Sequence, residues 1–387
     1  MKKNNVILIS VSAVLLLALS IGTLLTPDVD FSPNENRYLQ KAPKLTAENI
    51  LSGQFSEDAE NYLSDQIIGR ESWVRLKGMT EASLGVRDMN GIYLCEDGRA
   101  VERITEEAFD WNQYVRNLNQ LAQVREDAGI PMDVLIVPSA ASVYADTLPD
   151  HALRFDEEKA FEKAAAILGD SLIDLRQNLK EGAAKGAEGA GGAEGTANGG
   201  VFFKSDHHWT NYGAFLGYKT CLSHLGVDTS LLTYDMTEPT LLSDDFHGTL
   251  YSKVLLNTLG TDTILAPAYS RRAECTVEIE GKTYDSIYFE EKLETKDKYA
   301  VYFGGNYDRV DITCMEGDGA VLVIKDSFAN SFVPYLMGDY EHITMVDPRY
   351  FREDVTALAS GCDRILVVYS IKDLAEQKMN LASSLMN

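Results

Sequence analysis

Short, mainly apolar runs that alternate with helix-length amphipathic stretches constrain this 387-residue chain most. Met132–Val137, Ala320–Ile324, His342–Val346 and Arg364–Tyr369 are too short for helices and rich in aliphatic and β-branched side chains, so they read as buried strands. Helical patterns lie between and around them, at Asp156–Leu168, Phe328–Met337, Arg352–Ser360 and Lys372–Leu385, with a further short strand at Ser171–Leu175. Strand–helix alternation of this kind predicts an α/β fold built on a parallel sheet.

The N-terminus imposes a second constraint. Lys2 and Lys3 precede an uncharged apolar run, Val6–Leu25, which as a helix is about 30 Å long, the thickness of one hydrocarbon core. It reads as an uncleaved membrane anchor or a signal peptide. Ala18 and Ser20 offer a cleavage site, but the apolar core outruns the usual ~7–15 residues, which favours the anchor. No cysteine follows it, so nothing suggests a lipoprotein. Lysines before the run predict a cytoplasmic N-terminus, with everything from about Thr26 outside the cytoplasmic membrane, or secreted if the run is removed.

The expected organisation is 1–25 anchor or signal, 26–60 a stalk or wrapping segment, 61–130 an N-terminal helical region and 131–387 the α/β domain. Helices are predicted at Ala47–Leu63, Asp65–Leu84 and Glu106–Ala128. Residues 181–200, almost entirely Gly, Ala and Glu, read as a flexible surface loop. Residues 232–317 read as a β-rich insertion, with strand-like pieces at Thr276–Ile279, Ser286–Phe289 and Tyr299–Phe303. A net charge of −24 argues against nucleic acid as a partner, because phosphate neutralisation needs clustered Lys and Arg. The five cysteines contain no CxxC pair and so no metal-ligand spacing; Cys275 and Cys314, flanking one β-rich stretch, are candidates to pair. No metal and no cofactor is expected.

The most chemical stretch is Ser205-Asp206-His207-His208-Trp209-Thr210-Asn211. In an extended backbone residues i and i+2 share a side, so Asp206 is placed to accept a hydrogen bond from one His208 nitrogen and leave the other for acid–base work, which is half of a Ser-His-Asp triad. The strand signal Val201-Phe202-Phe203 leads in, and Thr210 is a plausible N-cap for a helix over Asn211–Leu225. His207 is expected to point away from His208. Trp209 reads as a packing residue or a substrate platform, and is carried as a substrate-binding candidate. Adjacent Asp-His-His also suggests a metal-dependent phosphoesterase, though no second ligand cluster accompanies it.

The best nucleophile is Ser327, at the carboxyl end of the strand Ala320–Ile324, where open α/β sheets build their sites. A helix starting there would aim the N–H groups of residues 327 and 328 at an oxyanion. Ser327 taken alone reads first as a helix N-cap. Ser139, after another strand, and Ser331, one helical turn on, are rivals.

The Asp-His-His-Trp-Thr run, preceded by Phe-Phe-Lys-Ser and followed by Asn-Tyr-Gly-Ala-Phe, resembles the signature of the bacterial DHHW protein family. Phe31-Ser32-Pro33-Asn34-Glu35-Asn36-Arg37, Gly304-Gly305-Asn306, Lys325-Asp326-Ser327 and Asp347-Pro348-Arg349-Tyr350-Phe351 also resemble that family. The family is in turn similar to the SGNH-like domains of alginate O-acetylation proteins, which carry Asp-x-His upstream and Ser downstream, an order permuted relative to ordinary GDSL esterases. The resemblance implies an SGNH-like three-layer α/β/α parallel sheet and a triad of Asp206, His208 and Ser327, with Arg349 and Asn306 beside the substrate. Lys325 stands where those acetylation proteins have glycine.

These readings point to acyl transfer outside the cytoplasm by an O-acetyltransferase or acetylesterase. A polysaccharide of the cell surface would be the acceptor and a membrane-bound O-acyltransferase the analogous acyl donor. The other reading is a non-catalytic glycan-binding or assembly module that keeps the fold.

Overall fold

A computed structural model describes residues 3–32, 34, 37–187, 200–379 and 381. The chain divides into two compact units, Met1–Val86 with Tyr251–Asn257, and Arg87–Leu250 with Thr258–Asn387.

The first unit opens on helix α1 (Lys3–Leu25), whose apolar span is wholly unburied and is long and apolar enough to cross a membrane. Strands β1 (Phe31–Ser32) and β2 (Arg37–Tyr38) pair antiparallel. Helices α2 (Ala47–Ser52), α3 (Gln54–Gln66) and α4 (Arg70–Ser83) follow. Two long helices were expected over this stretch. Gly53, at φ 81°, ends the first early, and the extended Ile67 followed by Gly69 at φ 69° delays the second. The Asp65 carboxylate accepts two bonds from Arg37, at 2.5 and 2.9 Å, and one from the Gln40 N–H at 2.8 Å. Arg37 thereby ties the wrapping segment to α3 and holds Asp65 below the usual carboxylate range.

The second unit begins with a small antiparallel sheet of β3 (Asp88–Met89), β4 (Ile92–Leu94) and β5 (Ala100–Glu102). It lies inside the stretch expected to be helical; strands of two or three residues carry too little alternation to read. Helix α5 (Trp111–Ala128) starts at Trp111 rather than Glu106 because the Asp110 carboxylate caps the N–H groups of Asn112 and Gln113. The elements that follow are β6 (Met132–Val137), α6 (Ala140–Val143), α7 (Glu157–Leu168), β7 (Leu172–Asp174), α8 (Arg176–Ala187) and α9 (Asn211–His224). Next come β8 (Pro239–Phe246), α10 (Thr249–Val254), β9 (Asp262–Pro267), α11 (Ala268–Arg272), β10 (Cys275–Ile279), β11 (Lys282–Tyr284) and β12 (Arg309–Cys314). The chain closes with β13 (Ala320–Lys325), α12 (Ala329–Leu336), β14 (His342–Val346), α13 (Val355–Ala359), β15 (Arg364–Ser370) and α14 (Ile371–Glu376).

Among the described residues eight strands form the main sheet, in the order β11-β10-β12-β14-β13-β15-β6-β7. From β14 to β7 the pairing is parallel; β12, β10 and β11 extend that edge antiparallel. Successive residues of each central strand enter opposite layers. Val134, Ile136, Leu322 and Ile324 pack with α5, α7, α13 and α14, while Leu135, Val137, Val321 and Val323 pack with α9 and α12. Both faces are therefore dry, which explains the unbroken apolar runs. The crossover from β13 goes to β14 on one side, and the chain returns to β15 on the other. The carboxyl ends of β13 and β15 thus flank a topological switch point, the place where such sheets bind ligands.

The stretch 232–317, expected as a β-rich insertion, contributes to the main sheet. Its strands β10 and β12 join the main sheet, and only β8 and β9 pair apart from it. The pieces expected as strands at 286–289 and 299–303 meet only through a bridge between Tyr288 and Tyr302. The Gly/Ala/Glu stretch is helical as far as Ala187, with Gly182 and Ala183 buried. A Cβ on Gly182 would lie 2.4 Å from Leu216 Cδ1, so the missing side chain is what lets α8 approach α9. The remainder of that expected loop, 188–199, lies outside the described residues, as do 380 and 382–385 of the expected closing helix, which ends at Glu376. All five cysteines are free thiols, although Cys275 and Cys314 are direct partners across β10 and β12.

Candidate active site

The Asp-His-His-Trp run is not extended. Phe203 N–H bonds to the His208 carbonyl at 3.1 Å and Thr210 N–H to that of Val201 at 2.9 Å, which folds the run into a tight loop closed by a Phe202–Trp209 bridge. The buried Asp262 carboxylate, at the start of β9, organises the loop tip. It accepts the N–H groups of Lys204 and Ser205, at 2.9 and 2.8 Å, and the Ser205 hydroxyl at 2.5 Å. Thr210 caps α9 by accepting the Gly213 N–H at 3.2 Å.

Asp206 and His208 meet through a local turn rather than strand alternation. Asp206 Oδ1 accepts both the His208 backbone N–H, at 3.0 Å, and its ring Nδ1–H, at 2.6 Å. Asp206 Oδ2 accepts the Thr249 N–H at 2.7 Å and its hydroxyl at 3.0 Å. A carboxylate only accepts, so His208 carries its proton on Nδ1 and presents a bare Nε2. Ser327 Oγ lies 2.8 Å from that nitrogen. The His208 ring stacks on Tyr299 at 3.9 Å and 11°. Burial, then the neighbouring His207, push His208 down to about 4 against the pull of Asp206, so it is neutral at pH 7. Burial alone would raise Asp206, but the two imidazoles and the Thr249 N–H more than offset it and hold the carboxyl below its ordinary range.

Gly248 makes this geometry possible. A Cβ there would lie 2.2 Å from Asp206 Cβ and 2.3 Å from its Oδ2. Gly248→Ala is expected to lower unfolding stability by about 1–3 kcal/mol. By displacing Asp206 it should also reduce any His208-dependent turnover on the order of 10²-fold. Denaturant melts beside turnover assays check both.

Ser327 sits half-buried in the turn between β13 and α12. Helix α12 starts at Ala329, not at Ser327, so Ser327 is not its cap. Asp326 holds the turn: its carboxylate accepts the Phe328 N–H at 2.9 Å and, from the end of β15, the Ser370 N–H at 2.7 Å. Burial, then Asp373, push Asp326 up, while those two N–H groups pull the other way. The Phe328 N–H is thus already committed, which corrects the expectation that it faces an oxyanion. Among the described residues the Ser327 N–H has no such acceptor. The rivals are also accounted for. Ser139 caps α6 and donates to the buried Glu157 at 2.6 Å. Ser331 is buried and receives Trp209 Nε1 at 2.9 Å and the Tyr299 hydroxyl at 3.0 Å.

Trp209 offers no face to a substrate: its exposure is 0%. Its Nε1–H also reaches the Phe328 carbonyl at 3.0 Å, and its ring stacks on Phe332. It is a packing residue that pins the Ser327 turn. His207 does not point away, because the loop is bent. Its ring centroid is 3.9 Å from that of His208, and its Nδ1 is 2.8 Å from Thr249 Oγ1. Since Thr249 spends its own hydrogen on Asp206, His207 donates. Asp206, His207 and His208 offer ligand atoms within 4.8 Å of one another, the grouping a metal ion would use, but both carboxylate oxygens of Asp206 and both ring nitrogens of His208 are already engaged in hydrogen bonds.

Asn306 and Arg349 converge on Lys325 rather than on His208. The Lys325 ammonium, only 2% exposed, donates to Asn306 Oδ1 at 2.7 Å and Asn330 Oδ1 at 2.8 Å, and lies 3.9 Å from Asp347. Burial pulls it down to about 8, with Asp347 holding it up. Because Lys325 can only donate, the Asn306 amide nitrogen is turned away from it. Arg349 pairs with Asp347 through Nε at 2.8 Å and Nη2 at 2.5 Å. Residues that sequence reasoning missed are Thr249, Asp262, Tyr299 and the structural part of Asp326. None stands in a recognisable motif except Asp326, which adjoins the serine.

The family model described as DHHW protein matches residues 109–346. Among solved structures, a DHHW family protein from Eubacterium siraeum aligns with TM-score 0.60 and 19% identity over 76% of this chain and 97% of its own. Bacillus cereus PatB1, solved with a sulfonyl adduct, aligns with TM-score 0.57 and 20% identity over 76% and 99%. The O-acetyltransferase domain of Pseudomonas putida AlgJ gives TM-score 0.44 and 14% identity over 77% and 95%. No curated protein matches the sequence. The first two likenesses show a shared fold.

Proposed function

We propose that this chain, which belongs to the DHHW protein family, is a serine acyl-transfer enzyme of the SGNH-like type with permuted motif order, working outside the cytoplasm. It moves acetyl groups on cell-surface polysaccharide as an O-acetyltransferase or acetylesterase. The observation that carries the reading is the continuous line from Asp206 Oδ1 through the His208 ring to Ser327 Oγ, at 2.6 and 2.8 Å. These are the distances a general base and its nucleophile require.

In the first half-reaction Ser327 Oγ attacks the acyl carbonyl and its proton passes to His208 Nε2. Asp206, ionised and held by Thr249, stabilises the imidazolium and fixes its orientation. The Ser327 N–H faces the developing oxyanion, and the Asn306 amide nitrogen, whose partner oxygen is taken by Lys325, is the second donor. Collapse expels the donor's alcohol, which takes the proton from His208. A sugar hydroxyl or water then attacks the acyl-serine, losing its proton to His208, and Ser327 is regenerated. A helix able to cross the membrane suits an enzyme kept near an envelope polymer and a membrane-bound acyl donor.

The test is covalent. A sulfonyl fluoride should label Ser327 stoichiometrically, with loss of fluoride, and abolish acetyl-ester turnover; an oligosaccharide acceptor added to the turnover assay separates transfer from hydrolysis. Labelling elsewhere, or turnover that survives labelling and disappears with a chelator, rules the triad out in favour of a metal at Asp206, His207 and His208.

The pH profile gives a second check. His208 acts only when neutral, so turnover should hold from pH 7 down to about 5 and fall through an acid limb near pH 4, below the ordinary imidazole value. Stability moves the same way. The unfolded chain binds His208's proton near 6.5 and the folded chain near 4, so folding weakens as pH falls through that window.

A further inference from the structure

The first unit carries an apolar surface that the proposed chemistry does not use. On α4 the exposed residues are Ser72, Trp73, Leu76, Lys77, Met79, Thr80 and Ser83, with Leu84 beyond its end. At 100° per residue they fill one continuous arc. Trp73 is 44% exposed, Leu76 53% and Met79 57%. The helix has two acids, Glu71 and Glu81, and neither falls on the arc; its single charge, Lys77, lies at the edge. The face is thus free of acids on a chain of net charge −24. For a water-facing helix the polar residues would be out and the apolar ones in.

Where the face lies indicates what covers it. The last turn of α1 is fastened to the residues just before α4. Thr23 Oγ1 accepts the Ile68 N–H at 3.1 Å, and a Cβ on Gly22 would stand 3.2 Å from Ile68 Cδ1. Val29 and the Gln66 side chain exchange two hydrogen bonds, at 2.9 and 3.0 Å, and the Tyr62 hydroxyl donates to Asp28 at 2.8 Å. Trp73 Nε1 reaches back to the Ile68 carbonyl at 3.2 Å. The exposed indole is therefore attached, through one residue, to the end of the helix that is able to cross a bilayer. Thr23 is two residues from the end of α1, about 3 Å along its axis. That depth belongs to the headgroup boundary, where tryptophan is favoured because its ring is apolar and its N–H polar.

We propose that the Trp73–Leu76–Met79 face of α4 lies in the lipid interface of the bilayer that α1 enters, so that the chain holds the membrane at two adjoining places, one spanning and one in-plane. This rests on α1 remaining as an anchor, and not on the acyl-transfer reading. A second copy of the chain on the same face is the competing occupant.

The experiment uses the full chain in vesicles whose phospholipids carry bromine on the acyl chain close to the headgroup. Flotation with the vesicles reports α1. Bromine quenching of the tryptophan emission that is lost in Trp73→Phe reports the α4 face, since phenylalanine keeps the packing and removes the signal. The expected result is flotation with a quenched component that Trp73→Phe abolishes and that does not change with the protein-to-lipid ratio. Flotation with equal quenching in wild type and Trp73→Phe overturns the inference and leaves the anchor standing. Shielding of Trp73 that appears only at high protein-to-lipid ratio overturns it in favour of a second copy, and failure to float overturns the anchor and the inference together.

Discussion

Ser327→Ala and His208→Ala should each lower acetyl-ester turnover by ~10³-fold or more, with the double variant no slower than the worse single. Ser327 Oγ and His208 Nε2 are joined by one hydrogen bond, so removing either abolishes the same step. Independent contributors would multiply their losses. The rate that remains measures the Ser327 N–H and substrate binding, which neither substitution removes. Asp206→Asn completes the series: the amide can no longer hold His208 with its proton on Nδ1 by accepting alone, so the imidazole is free to present the wrong tautomer to Ser327. Folding must be followed in parallel, because Asp206 also fixes Thr249. If Ser327→Ala turns over ester at the wild-type rate, the acyl-transfer mechanism is wrong, whatever the fold.

The largest stability effect should come from Trp209→Ala, a loss of about 3–5 kcal/mol in unfolding free energy. The ring is fully buried between α9 and α12, stacked on Phe332 at 6.1 Å. Its removal leaves a cavity and strips partners from the Phe328 carbonyl and the Ser331 hydroxyl. Trp209→Phe separates the two parts. It retains much of the packing but loses both hydrogen bonds, about 1 kcal/mol each. Because Phe328 follows Ser327, the Phe variant should lower kcat by loosening the Ser327 turn while KM stays unchanged. A KM rise with constant kcat would instead mean that Trp209 meets the substrate, against its burial.

How much of this was legible follows from which features are local. The parallel strands were readable because burial on both faces leaves a continuous apolar run in one segment, as in β13 and β15. The antiparallel strands at the edge were read only as a β-rich insertion, since nothing within β10 or β12 says which sheet it will join. Of the helix caps, Thr210 was read as one, whereas Asp110 and the breaks at Gly53 and Gly69 were passed over because the apolar pattern continues across them. The two-residue spacing of Asp206 and His208 led to the right pairing for the wrong reason. A bent loop, not an extended strand, brings them together, and the same bend turns His207 inward. Lys325 has a buried structural use that no neighbouring residue announces, because its partners come from residues 306, 330 and 347.

By itself the sequence determined the α/β class, the apolar N-terminal helix, the pairing of Asp206 with His208 and the placing of Ser327 at a strand's carboxyl end. Each of these depends on residues a few positions apart, within the reach of periodicity, capping and turn chemistry. Only the tertiary structure decided that Ser327 Oγ meets His208 across 119 residues, that Asp326 takes the Phe328 N–H, and that Tyr299, Thr249 and Asp262 hold the histidine loop. Those contacts arise where the ends of β13 and β15 open at the switch point of the sheet, and strand order is set by packing over the whole domain rather than by any one segment.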